Sequence, residues 1–227
     1  MLGTIANTAA IIVGSLIGVV FKKGIPEKYN QTIMDVMSLA VILIGLKSAF
    51  KSDALLVIIL CLIIGTLIGE SLDLEGRLEN VGHWLEIKFT KSGQGIAKGF
   101  VTASLLYCVG AMAILGSLES GLTGNHQILF AKAVLDGIIS VVLAASLGLG
   151  VMLAAVSVFL YQGIITLCAV FLEKVLAPEV IAQMSSVGGL LIVGLGINML
   201  EIKKLKVGNM LPAIFLPVFY FIAKQLF

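Results

Sequence analysis

The sequence predicts an all-helical, polytopic membrane bundle of seven or eight spans, and three observations carry that prediction. Of 227 residues, 59% are apolar and only 12% carry charge, about half the charged share that a soluble surface needs. Mean hydropathy is +1.12. The apolar runs are continuous and do not alternate, which suits helices crossing a hydrocarbon core and does not suit barrel strands. Residues 1–227 read as one integral membrane domain.

The first span is expected near 3–21. No basic segment precedes its apolar run, which ends in Phe21-Lys22-Lys23, so it reads as a retained helix rather than a cleaved signal. Gly14 and Gly18 form a small-xxx-small pair on it, the pattern of close helix approach within a chain or between protomers. The second span is placed at 32–50 and the third at 54–70, where Gly65 and Gly69 repeat the small pair. The remaining spans are placed at 99–118, 128–147, 150–172, 181–200 and 208–226. Ser146-Leu-Gly148-Leu-Gly150 offers a tight turn between the fifth and sixth, yet no charge marks it. Seven spans with one broken or re-entrant is therefore the alternative. Pro212 and Pro217 kink the last span. Glu70 and Glu201 close their helices as boundary residues.

Residues 71–98 make the only long charged connection. Leu74, Leu78, Val81 and Leu85 recur at helical spacing beside Trp84, with Asp73, Glu75, Arg77, Glu79, Glu86 and Lys88 on the other face. That pattern predicts an amphipathic helix lying in the membrane interface. Basic residues set the orientation. Lys22, Lys23, Lys28, Arg77, Lys88, Lys91, Lys98, Lys203, Lys204 and Lys206 fall on one side, and Lys47, Lys51, Lys132, Lys174 and Lys224 on the other. Ten against five puts the odd-numbered loops in the cytoplasm and both termini outside.

A weak repeat runs through the chain. Lys23-Gly-Ile-Pro26-Glu27 leads through Gln31 to Val41-Ile-Leu-Ile-Gly45-Leu46, and Val175-Leu-Ala-Pro178-Glu179 leads through Gln183 to Leu190-Leu-Ile-Val-Gly194-Leu195. The register drifts by three residues between the two pairs. Spans 1–3 would then correspond to spans 6–8, and five intervening steps invert the second copy, as in many secondary transporters.

The chemistry is sparse and concentrated. Lys132 and Asp136 lie four apart on one predicted helix face, inside a stretch from Ile128 to Leu172 almost free of other charge. A carboxylate at that depth costs about 2.5–3.5 kcal/mol on insertion scales, so it marks a polar or ionic pathway or else a packing ion pair. Gly116-Ser-Leu-Glu119-Ser-Gly121-Leu-Thr-Gly124-Asn-His126 could form an unwound helix end around Glu119, or an ordinary external loop. Asn7, Gln162 and Asn198 are amides within spans, suited to lining a central site or to hydrogen bonds between helices. His83 and His126 stand alone as loop or interface residues. Cys61, Cys108 and Cys168 share no metal-type spacing and read as small hydrophobes. A net charge of +2 without basic-aromatic clusters gives no nucleic-acid partner. No phosphate loop, HExxH or GxSxG is present, so the chain is not read as an enzyme and no cofactor is expected beyond coupling Na⁺ or H⁺.

Val109-Gly110, Gly116-Ser117, Gly121-Leu122, Lys132, Leu135-Asp136-Gly137, Ser140, Gly148, Gly150-Val151, Tyr161-Gln162-Gly163, Gly194 to Asn198 and Leu211-Pro212-Ala213 together resemble a bacterial family. It is domain-of-unknown-function family 554, the YqgA/YdfK type. The resemblance implies a polytopic inner-membrane protein of a kind described loosely as a sodium channel or pump. Ala111 departs from an expected proline, and Glu119-Ser120 from something closer to Gln-Asp. The second departure weakens Glu119 and leaves Asp136 the stronger residue.

The sequence thus predicts a transporter of a small solute or cation working by alternating access. Asp136 would be the coupling-ion carboxylate, Lys132 its counter-charge, and Asn7, Gln162 and Asn198 polar lining. The alternatives are a channel-like oligomer, or a non-transporting scaffold or sensor in which Lys132 and Asp136 are a structural pair. The lipid bilayer is the expected partner, and a homo-oligomer is compatible with the small-residue faces.

Overall fold

The protein is described from a computed structural model, covering residues 1–22, 27–77, 80, 96–108, 110–173 and 176–226. Every regular element among them is helical: α1 (Leu2–Lys22), α2 (Glu27–Ala49), α3 (Leu55–Ser71), α4 (Ile96–Cys108), α5 (Ala111–Leu122), α6 (Gln127–Leu147), α7 (Gly150–Leu167), the single turn α8 (Ala169–Leu172), α9 (Pro178–Met199), a 3₁₀ segment (Val207–Ile214) and α10 (Leu216–Leu226). Five stretches, Leu2–Phe21, Gln127–Leu147, Gly150–Leu167, Pro178–Met199 and Val207–Lys224, are long and apolar enough to cross a bilayer. α4 and α5 add a sixth candidate if the bent pair crosses as one span. The chain is a helical membrane protein. Most of the interfacial segment expected at 71–98, including Trp84, lies outside the described residues.

Glycine decides how the helices pair. In lipid no hydrophobic force pushes helices together, so backbone approach and dispersion must do it. α1 and α6 lie side by side in the same direction. Gly3 backs onto Leu129, Gly14 onto the Gly137 carbonyl and Gly18 onto the Val141 carbonyl. A Cβ at either Gly14 or Gly18 would collide with backbone, which moves far less readily than a side chain. α2 and α9 run in opposite directions, with Gly45 against Gly189 and Val193, and Gly196 against Ser38 and Ile42. α3 opposes the 3₁₀ segment, with Gly65 on Ala213 and Gly69 on Asn209. The small-residue pairs expected on the first and third spans therefore serve contacts within this chain.

α4 runs alongside α7 in the same direction. Gly150 meets the Ile96 carbonyl, and the Ser104 hydroxyl donates to Ser157 Oγ at 3.0 Å. The helix break falls elsewhere than the sequence suggested. Gly116 to Leu122 stays helical, while the axis bends by 58° between α4 and α5. Gly110, with φ −68° and ψ 144°, is the extended residue that begins α5. Gly116 and Gly121 do not unwind the helix, because each gives room for a neighbour, Leu129 in one case and the Thr166 carbonyl in the other. Ala111, the expected proline position, is the first residue of α5, where proline fits without losing a helix bond. Proline also reshapes the last span: Pro212 sits within the tighter 3₁₀ segment before α10 starts.

Candidate functional site

α6 is two-faced in a membrane sense. Val134, Leu135, Ile138 and Val142 are exposed at its outer surface, while Lys132, Asp136 and Ser140, at intervals of four, turn inward. Asp136 is the tenth of 21 residues in this helix, so it sits near its middle. Only 5% of Asp136 and 5% of Lys132 is exposed. Lys132 Nζ donates to Asp136 Oδ2. Asn7 Nδ2, on the parallel neighbour α1, donates to the same oxygen at 3.0 Å. The close α1–α6 contact at Gly14 and Gly18 is what brings Asn7 within reach.

The ammonium has a second support. Lys132 Nζ lies 5.9 Å from the centroid of the Tyr107 ring, within reach of the ring quadrupole. The Tyr107 hydroxyl shares a 2.7 Å hydrogen bond with Ser140 Oγ. Tyr107 stands on the last turn of α4, just before the break, and is fully buried. The pair is thus held by α1, α4 and α6 together. One ammonium, one carboxylate and neutral donors leave the site with no net charge, which is how a carboxylate is tolerated here.

Asn7, Lys132 and Asp136 are therefore brought together. The other expected residues are placed elsewhere. Gln162 is buried on α7, and neither end of its amide has a hydrogen-bond partner among the described residues. Asn198 closes a loop: Nδ2 donates to the Leu205 carbonyl at 2.8 Å and Oδ1 accepts from the Leu205 N–H at 2.7 Å. Glu119 accepts from Asn125 Nδ2 at 2.6 Å at the end of α5, beside the 2.9 Å contact of Ser120 Oγ with His126 Nδ1. Sequence reasoning gave Tyr107 no role, and only the chain's return past α6 reveals one. Ser140 lies one turn beyond Asp136, a spacing that would have pointed to it.

A cavity of about 480 Å³ opens at the far end of α4 and α9, lined by Glu75, Lys98, Asn198, Glu201, Lys203 and Lys204 among others. A second, about 360 Å³, lies between α4, α7 and the 3₁₀ segment, with Cys108 and Tyr161 on its wall. Neither is lined by Asp136. Beside the first, Glu70 receives Lys206 Nζ and Asn209 Nδ2, each at 2.5 Å, and Asn209 Oδ1 accepts from the Glu75 N–H at 2.7 Å. This network ties the end of α3 to the 3₁₀ segment. The hydrogen bond that the exposed Lys206 ammonium donates to Glu70 holds its pKa above the usual lysine range.

The chain belongs to the family described as "Protein of unknown function (DUF554)", whose profile matches residues 2–222. It is 39% identical over 221 residues to the "Uncharacterized membrane protein YdfK" of Bacillus subtilis (strain 168), covering 96% of this chain and 94% of that one. It is 28% identical over 221 residues to the "Uncharacterized protein YqgA" of Escherichia coli (strain K12), covering 95% and 94%. No solved structure matches the chain.

Proposed function

We propose that this DUF554 protein is a multi-pass inner-membrane transporter that exchanges a monovalent cation for a proton at Asp136. The carrying observation is the buried Lys132–Asp136 pair at the middle of a membrane helix, with Asn7 on the same carboxylate oxygen. The site holds zero net charge. A cation that binds Asp136 displaces the ammonium, and Lys132 restores neutrality by releasing its proton. One cation in for one proton out keeps the buried charge constant. Any other count leaves an unpaired charge, at a cost of about 2.5–3.5 kcal/mol or more.

The helix directions support eight crossings. Parallel pairing of α1 with α6 fits spans one and five, provided that α4 and α5 cross as one bent span. Antiparallel pairing of α2 with α9 and of α3 with the 3₁₀ segment fits spans two with seven and three with eight. The inverted repeat gains support too. α9 starts at Pro178, and Glu27 is the first described residue of α2. Gly45 and Gly196, rather than Gly194, play reciprocal parts in the α2–α9 contact, which reduces the register drift from three residues to one. Tags at the two termini should both be reached from the periplasmic side.

The test of function is thermal stability of the detergent-purified protein in Na⁺, K⁺ and Li⁺ across pH, for the natural chain and Asp136→Asn. A ligand at a hundredfold excess over its Kd stabilises by about 2.7 kcal/mol. Ion-selective stabilisation that strengthens as protons become scarce, and that disappears in Asp136→Asn, supports exchange. Absence of any ion dependence supports the second reading, a structural Lys–Asp pair. That reading draws on the fact that Asp136 lines none of the cavities described above.

A further inference from the structure

Around the start of α1, five polar atoms on three helices lack a hydrogen-bond partner among the described residues. They are Thr4 Oγ1, Ser117 Oγ, Gln162 Oε1 and Nε2, and Thr166 Oγ1. Thr4, Ser117 and Gln162 are fully buried and Thr166 is 6% exposed. Buried polar groups are nearly always satisfied, by protein or by ordered water, so a cluster of exceptions demands a cause. Elsewhere in this protein the hydroxyls of Thr8, Ser38 and Thr66 fold back onto the carbonyl four residues earlier. Ser117 and Thr166 make no such bond.

These side chains share one level of the bundle. Gly3 and Gly116 both rest on Leu129, which brings the start of α1 and the middle of α5 to one residue of α6. Met1 Cε reaches Gly163, next to Gln162. Gly121 lies on the Thr166 carbonyl. Ser117 and Gln162 each lie one turn before that contact, on α5 and α7 respectively. The next turn of α1 carries Asn7, whose Oδ1 is likewise without a partner while its Nδ2 holds Asp136. The polar groups thus form a track from the end of the bundle where α1 begins down to Asp136.

We infer that Thr4, Ser117, Gln162 and Thr166, closed to water in this structure, become the wall of a hydrated chamber leading from the membrane face of the chain's termini to Asp136 when the helices around them part. Water fits this wall because Gln162 Nε2 needs an acceptor while the oxygens accept or donate, and a water molecule supplies both. The wall carries no charge. It offers only hydroxyl and amide oxygens, enough to replace part of the shell of a monovalent cation; a divalent ion calls for carboxylates. The cation as cargo rests on the exchange proposed above, whereas the hydration does not.

Thiol labelling tests this inference. Thr4→Cys, Ser117→Cys and Thr166→Cys are made singly in a chain whose Cys61, Cys108 and Cys168 are alanine. Each is checked for a monodisperse gel-filtration peak and exposed in cells to a membrane-impermeant cationic methanethiosulfonate. Leu135→Cys, on the outer face of α6, is the lipid-facing control. The chamber predicts modification roughly tenfold faster or more than that control, because thiol reaction tracks water access, and from the periplasmic side only. Adding Gln162→Leu should slow modification of Ser117→Cys by narrowing the path. Folded variants at all three positions that react no faster than Leu135→Cys from either side would overturn the chamber. Fast labelling without any cation-dependent protection keeps the chamber as a water path and removes cation exchange instead.

Discussion

Removing the two members of the buried pair separately and together gives a sharp prediction. Lys132→Met leaves Asp136, 5% exposed, with the Asn7 amide at 3.0 Å as its remaining support. Breaking a buried pair by deleting one partner costs about 3–5 kcal/mol, and the lower end applies here because Asn7 remains. Asp136→Asn is milder. The ammonium keeps the Tyr107 ring at 5.9 Å, and such a contact offsets up to about 2 kcal/mol when desolvated. A loss of about 2 kcal/mol is expected. The two losses would sum to about 5 kcal/mol, yet the double variant leaves no buried charge and should lose only about 2 kcal/mol. Coupling of about 3 kcal/mol follows. Unfolding in mixed micelles, read by tryptophan fluorescence, measures all four corners of this cycle. Losses that add within about 0.5 kcal/mol would refute the pairing.

Three other perturbations separate the packing from the site. Gly14→Ala puts a methyl group on the Gly137 carbonyl and should cost about 1–3 kcal/mol, whereas Gly110→Ala, with nothing within 4 Å of its new Cβ, should stay within about 0.5 kcal/mol; thermal midpoints distinguish them. Asn209→Ala strips partners from the Glu75 N–H and from Glu70 and should cost about 1–3 kcal/mol, while Lys206→Met should leave a barely measurable change near neutrality. The Lys206 ammonium is held above its usual range, so whatever it contributes persists below that range and is lost only as pH rises through its raised value; a gap between natural protein and Lys206→Met that grows in alkali would contradict this sign. Asn198→Ala loses both bonds to Leu205 and should lower stability by about 1–3 kcal/mol with the response to Na⁺ unchanged; loss of that response would restore Asn198 to the site.

Some of this was written plainly in the chain. Continuous apolar runs gave the helices, since length and hydrophobicity suffice when lipid is the solvent. Lys132 and Asp136 announced themselves because a charge in such a run is expensive and a spacing of four places it beside its partner. Gly14, Gly18, Gly65 and Gly69 marked close approach, though not which helix approaches. The partners needed tertiary information: nothing local connects Gly14 with Gly137, or Asn7 with Asp136. The break between α4 and α5 was hidden for a related reason. Gly116 and Gly121 carry the same composition as a helix breaker, but here neighbouring helices occupy the space that their missing side chains leave. Gly110, a lone glycine, makes the turn. Tyr107 and the orphaned hydroxyls are invisible to spacing, because they lie on four different helices.

The pairing of helices also bears on how a site here could change its exposure. Asn7 and Asp136 sit on α1 and α6, which touch backbone to backbone at Gly14 and Gly18. Contacts that tight have no slack for sliding, so the Asn7–Asp136 bond belongs to a rigid unit. Freedom lies elsewhere. A Cβ on Gly110 would meet nothing within 4 Å, so the 58° bend can change there, but α5 then moves together with the end of α7, whose Thr166 carbonyl packs on Gly121. α5 carries Ser117 over the proposed chamber, while α4, on the near side of the bend, carries Tyr107 against Lys132. Motion at this hinge would open or close the chamber while the carboxylate stays in place. In the proposed exchange, access would then change around a fixed Asp136, and Tyr107 would couple the hinge to the charge, because its ring supports the ammonium only while α4 stays packed against α6.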